Sequence, residues 1–504
     1  MIYNQTLSIA NTSTSAGAVL HLARVEAEGN TQSRPYRRAV QSVAQALQSA
    51  SGLALAAAVL ISVAGCGNTY RPVVSAINPV GPAAQPQKFA VAISTTGTAA
   101  NPTPGLVTFV DFSGDTVLIT AQIGVDPYYL VLNSGGTTGY TLNSDHTLTT
   151  FDVDTALLQS NILQTTLLPG ANPVSIFPEG TNTYVTDPGL NVVSQFTGQP
   201  LNLQQQLSID PAFTPIYVTG IASAPRVYAI SQRVGGGPGQ VSTIETSSNT
   251  VDPIPIPVGQ GPVYGVMTAD ARRAFILNQT DGTVTVINAQ TNQLDIVPIG
   301  ATNPISVGAS PLWADFAPAR NEMVVSNAGD GVHQGSVSII SIPLCTATAL
   351  PSNPNCDPNN PVDAAGFGTV LATVPVGINP LMVGVLQDTT NSRAYVVNGG
   401  NPNLPCAAPT TALPLGNCTV SVINLTTNTV TATIPVPLSL INAGTPVLNG
   451  HPNYIAVTNG TPTGKVYVTS PEANFMTVIR TDIDAVDLTV PLQGNGVSVR
   501  VTQP

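Results

Sequence analysis

TVSVINLTTNTVTATIPV spans residues 419–436. Two runs in which Val and Ile alternate with Thr, Ser and Ala flank the polar turn Thr426-Thr427-Asn428. Alternation with period two, in β-branched residues around a turn, predicts two antiparallel strands. The stretch has near-copies. Val420-Ser421-Val422-Ile423 recurs as Val284-Thr285-Val286-Ile287, as Val337-Ser338-Ile339-Ile340 and, more loosely, as Met476-Thr477-Val478-Ile479. Upstream of each lies a second apolar run: Tyr395-Val396-Val397-Asn398, Phe275-Ile276-Leu277-Asn278, Val324-Val325-Ser326-Asn327 and Tyr467-Val468-Thr469-Ser470. Tyr184-Val185-Thr186-Asp187 and Tyr228-Ala229-Ile230-Ser231 extend the series.

A proline and a further alternating run open each copy. The prolines are 127, 173, 215, 262, 311, 380 and 452, at intervals of 46, 42, 47, 49, 69 and 72 residues. The two long intervals contain Cys345–Cys356 and Cys406–Cys418; without those insertions the period returns to about 45–55, the length of a four-stranded unit. We name its strands a to d. In the unit at Pro380 they are predicted at 381–386, 393–398, 419–425 and 429–436. One such unit cannot bury both of its faces, so the units must stack, and a closed ring leaves few open edges.

AYVVNGG followed by TVSVINLTTNTVTATIPV resembles the YVTN family of β-propeller repeats. The likeness is close at Pro380, good at Pro262 and degenerate at Pro127, Pro173 and Pro215, and covers about 87–504. It implies a single all-β propeller and says little about activity. A partial unit, with strands near 89–94, 106–111 and 116–123, precedes the first proline and lacks strand a; Gly496–Val501 is a spare strand at the other end. Pairing the two makes an eighth blade. Eight is the expectation, and seven the alternative if 87–126 or 127–171 is not a true blade.

The first 66 residues differ from the rest. Arg34, Arg37 and Arg38 precede the apolar run Leu53–Val63, and VAGC at 63–66 follows. A basic flank, a short apolar run and small residues make an export signal. The run is shorter than the roughly 20 residues of a membrane span. VAGC resembles the lipobox of bacterial lipoproteins, which implies lipidation of Cys66. Attached acyl chains give about 0.8 kcal/mol per buried CH₂. No Asp follows Cys66, which by the same resemblance favours the outer membrane or cell surface. Residues 67–86, rich in Pro, Asn and Gly, read as a tether to a propeller at 87–504.

An exported chain permits disulfides. Proximity favours Cys345–Cys356 and Cys406–Cys418 among the three possible pairings. In the chain-entropy model each contributes roughly 3 kcal/mol. Zinc-ligand spacing is absent, and no cofactor or metal is expected.

The net charge is −11, and −13 beyond residue 66, with lysine only at Lys88 and Lys465. That argues against nucleic acid, whose phosphates need cations. The a–b and c–d turns are short, whereas the b–c segments 232–240, 328–335 and 399–418 and the d–a segment 437–450 are longer. Variable loops on a rigid scaffold carry function, so the b–c/d–a face is the expected binding surface, with Arg233, Asp330, His333 and Asn401 as candidate contacts. His451 reads as structural and Trp313 as core. With no nucleophile motif or histidine pair, the expected protein is a monomeric, lipid-anchored, non-enzymatic binder of protein or polysaccharide. The alternative is a propeller enzyme resembling lactonases or quinoprotein-type dehydrogenases, with its site at the channel mouth.

Overall fold

Residues 419–424 and 429–435 form antiparallel strands c and d of one sheet, joined at Asn428, whose φ of 54° closes the turn. The alternation has a two-sided cause. Val420 and Val422 fill the interface with the following sheet, while Ile423 and Leu425 fill the interface with the preceding one. The same arrangement is repeated around a ring.

The computed structural model describes residues 88–502 except 99, 154–160, 223, 296–302, 344–365, 387–391, 409, 412, 413, 415, 437, 440–446, 449, 461 and 462. Seven antiparallel sheets follow one another at 127–166, 175–208, 213–260, 262–306, 311–378, 380–435 and 454–491; these are blades 1 to 7. In blades 3 and 4 strand d is split into two pieces. Asn495–Val501 pairs with Phe89–Thr95 from Ala90↔Val501 to Thr95↔Asn495, and supplies the inner strand of blade 8. The inner strands touch in unbroken succession, 7 against 8 and 8 against 1 included. The protein is therefore an eight-bladed β-propeller, closed by its C-terminal strand. The unit at 127–166 is a true blade. Cys66, Cys345 and Cys356, the leader and the tether lie outside the described residues.

Eight hydrophobic clusters occupy the eight blade–blade interfaces, one each. Polar contacts register the blades. The Tyr395 hydroxyl donates to Asp484 Oδ1 (2.6 Å) and Arg393 Nη1 to Asp484 Oδ2 (2.7 Å), which ties strand b of blade 6 to the c–d turn of blade 7. Lys465 and Tyr467 of blade 7 hold Asp115 in the c–d turn of blade 8 in the same way. The only two lysines thus share one seam, with Lys88 Nζ 5.1 Å and Lys465 Nζ 4.7 Å from the centre of the Phe112 ring.

A second repeated device fixes the entry to strand a. Asn398 Nδ2 donates to Thr419 Oγ1 and Ser421 Oγ, and Asn278, Asn327 and Asn143 do the same to their own strand c hydroxyls. A glycine lies on each amide. A Cβ on Gly377 would fall 2.6 Å from Asn398 Cγ, and Gly124, Gly259 and Gly308 are as tightly covered. Each such glycine stands three residues before the blade's opening proline.

Candidate functional site

The opening prolines also set a bulge. In blades 1, 3, 4, 5 and 6 the register shifts between the proline and the second residue after it, leaving one residue unpaired. Blade 8 has the equivalent shift between Gly496 and Ser498. A bulge re-aims the side chain beside it. The second residue is Tyr129, Tyr217, Tyr264, Trp313 and Met382 in those five blades, Ser175 in blade 2 and Tyr454 in blade 7. Five of these are aromatic, and they form one layer of the inner strands. Each stands opposite the end of strand b, so the layer lies towards the b–c/d–a face.

The rings meet. Tyr217 and Tyr264 centroids are 4.9 Å apart, Tyr264 and Trp313 4.2 Å, and Trp313 and Tyr454 6.4 Å. The Tyr129 hydroxyl faces those of Tyr217 and Ser175. Arg500, from the closing strand, reaches into this layer. Its guanidinium carbon lies 5.6 Å from the centre of the Trp313 ring and 4.9 Å from that of Tyr454, and Nη2 lies 3.5 Å from the Tyr454 hydroxyl. The groups acting on its charge are Tyr454, Tyr129, Tyr217 and Tyr264, drawn from four blades, which places the guanidinium near the channel axis. Tyr129, Tyr217, Trp313, Tyr454 and Arg500 all remain partly exposed, as channel-lining groups are.

Electrostatics here follow from burial. Desolvation raises the Tyr129, Tyr217 and Tyr264 hydroxyls above the ordinary tyrosine value, so all three are neutral donors at neutral pH. Asp315, two residues beyond Trp313 on the same strand, is pushed up to about 6 by desolvation, against the opposing pull of the Val385 and Phe316 N–H groups at 2.8 Å.

The four loop residues expected to make contacts are each engaged locally. Arg233 lies over the Phe213 ring. Asp330 Oδ1 accepts the Val332 and His333 N–H groups while Oδ2 meets His333 Nδ1, and this pairing lowers the Asp330 carboxyl to about 2. Asn401 N–H donates to Asn417 Oδ1. Strands b and c of blade 3 extend to Arg233 and from Pro238, so the expected long loop is a hairpin of four residues, with three glycines at φ of 82°, 90° and 110°. Cys406 and Cys418 are disulfide-bonded, as expected, within a loop also knit by Asn417 Nδ2 bonds to three carbonyls. His451 fastens that loop, with Nε2 on the Leu404 carbonyl and Nδ1 beside Glu472. Trp313, expected in the core, packs against three hydrophobic clusters but turns its ring to the channel, because the bulge at Leu312 rotates it inward.

No family model matches the chain, and no curated protein does. Among solved structures it is similar to dihydro-heme d1 dehydrogenase NirN in complex with DHE, at 10% identity and TM-score 0.53, covering 83% of this chain and 77% of that one. It is also similar to AztD from Citrobacter koseri, at 11% identity and TM-score 0.53, covering 82% and 97%. The likeness is one of fold. The aromatic–arginine layer is a feature of this chain's own residues.

Proposed function

We propose that the protein is an exported, lipid-anchored envelope propeller of YVTN type that binds a ligand at the b–c/d–a mouth of its channel. The observation that carries this reading is the convergence of Tyr129, Tyr217, Tyr264, Trp313, Tyr454 and Arg500 from six blades on one layer. Ring faces with hydroxyl and guanidinium edges recognise ligands by stacking and hydrogen bonding. The export signal and the lipobox-like VAGC at Val63–Cys66 support the location. The longer loops on the same face extend the surface, and a polysaccharide or protein chain is the partner class. The groups of this layer are suited to holding a ligand rather than to shuttling protons, and we read the protein as a binder rather than an enzyme.

Trp313 is the only tryptophan, so tryptophan emission, excited selectively over the tyrosines, reports this layer. Envelope glycans and peptides are screened against the full-length protein. A ligand that shifts Trp313 emission in the wild type and not in Tyr217→Ala supports the reading. Ligands that bind without moving the emission, or equally in the variant, contradict it.

A further inference from the structure

We infer that the channel holds an oxyanion site built on Arg500, which takes the single carboxylate of a ring-shaped ligand, the chemistry of a uronic acid. This rests on the reading of the channel mouth as the binding surface and names what it binds.

A guanidinium has two faces and a rim of five N–H donors. Arg500 lies over the Trp313 and Tyr454 rings, whose centroids are only 6.4 Å apart, so both rings pack on one side of it. Its one described hydrogen bond is the long contact to the Tyr454 hydroxyl, and the side chain stays partly exposed, so rim donors are left for a ligand. Among the described residues no carboxylate pairs with it, and Tyr454, Tyr129, Tyr217 and Tyr264 are among the groups that act on its charge. Five other described arginines, 226, 273, 320, 393 and 480, each pair with an acid. A cation held inside protein without a counter-ion is unfavourable, and a bound anion removes that penalty. The Tyr129, Tyr217 and Tyr264 hydroxyls stand around the same axis as further donors.

The charge balance selects the anion. One guanidinium neutralises one negative charge, Asp315 stands two residues beyond Trp313 on the inner strand of blade 5, and the whole chain carries −11. A dianion would keep an uncompensated charge in the channel. A planar carboxylate matches the rim bidentately, which a lysine could not reproduce. The partly exposed rings of Tyr217 and Trp313 supply apolar faces for the ligand's body.

The test uses the full chain. Phenylglyoxal modifies accessible arginines, and peptide mass spectrometry follows Arg500. Galacturonate is the probe, methyl galactoside its neutral twin, and phosphate, sulfate and chloride the competing anions. Galacturonate should protect Arg500 and shift Trp313 emission, with the neutral twin doing neither. Arg500→Lys should weaken galacturonate about tenfold, through loss of one charge-assisted bond. Tyr217→Phe, which keeps the ring, should weaken it less and leave the thermal melt unchanged. Protection by phosphate or sulfate at lower concentration than by galacturonate overturns the carboxylate assignment. So does unaltered binding in Arg500→Lys. If neutral ligands move Trp313 while no anion protects Arg500, the oxyanion site falls and the channel-mouth reading stands. If no ligand of either kind moves Trp313, both fall.

Discussion

Lys465 Nζ lies 2.7 Å from Asp115 Oδ2, with both side chains buried, and the two residues stand 350 positions apart across the seam that closes the ring. This ion pair spans the blade 7–8 interface beside the hydrophobic cluster buried there. The Lys465→Met variant leaves Asp115 facing an apolar neighbour, and breaking a buried pair by removing one partner costs about 3–5 kcal/mol. Denaturant unfolding should show that loss, and the double variant Lys465→Met/Asp115→Leu should recover part of it. A double variant no better than the single one would count against the pair as the fastener.

Closure also depends on the last strand. Removing residues 494–504 exposes the edge of Phe89–Thr95 and opens the hydrophobic clusters shared with blades 1 and 7. Edge strands in that state pair with other molecules. The truncated chain should melt well below the wild type and aggregate in light scattering. An unchanged melting temperature would contradict velcro closure.

Glycines distinguish packing from backbone strain. Gly377→Ala drives a methyl into the Asn398 amide, an overpacking worth about 1–3 kcal/mol. Gly236→Ala meets no atom within 4 Å, and only its φ of 90° opposes the change. Chemical denaturation should place Gly377→Ala clearly lower than Gly236→Ala. The reverse order would show that the asparagine–glycine contacts are incidental.

Asp315 gives the fold a pH signature. Its folded-state value is raised to about 6, so its contribution to stability is fully present below the ordinary aspartate value and is lost as pH rises through about 6. Asp315→Asn keeps an acceptor for the Val385 N–H and removes the titration. Between pH 4 and 7 the wild type should lose stability relative to the variant. Parallel profiles would mean that Asp315 is not desolvated.

Much of the architecture is written in the repeat. Blade boundaries follow the prolines because each proline stands within two residues of the start of an inner strand, and the spare strand at 496–501 is where ring closure needs it. The channel layer was written there too, as an aromatic residue two places after Pro127, Pro215, Pro262, Pro311 and Pro452. Period-two alternation hides it. Alternation assigns side chains to one blade interface or the other, and a bulge adds a third direction that the pattern does not encode. That is why Trp313 reads as core from sequence. Arg500 is less legible still, since its level in the channel is set by pairing with Val91, more than four hundred residues away. In the loop candidates the polar groups are engaged locally. Asp330 and His333 are polar and exposed, yet they satisfy each other within one turn.

Arg500 should make the aromatic layer at the channel mouth electropositive, in a protein whose net charge is −11. Quenching of the single tryptophan tests this directly. Iodide should quench Trp313 more strongly than caesium in the wild type, and Arg500→Gln should abolish the difference. Quenching by neither ion would show a closed plug, and stronger quenching by caesium would contradict the account.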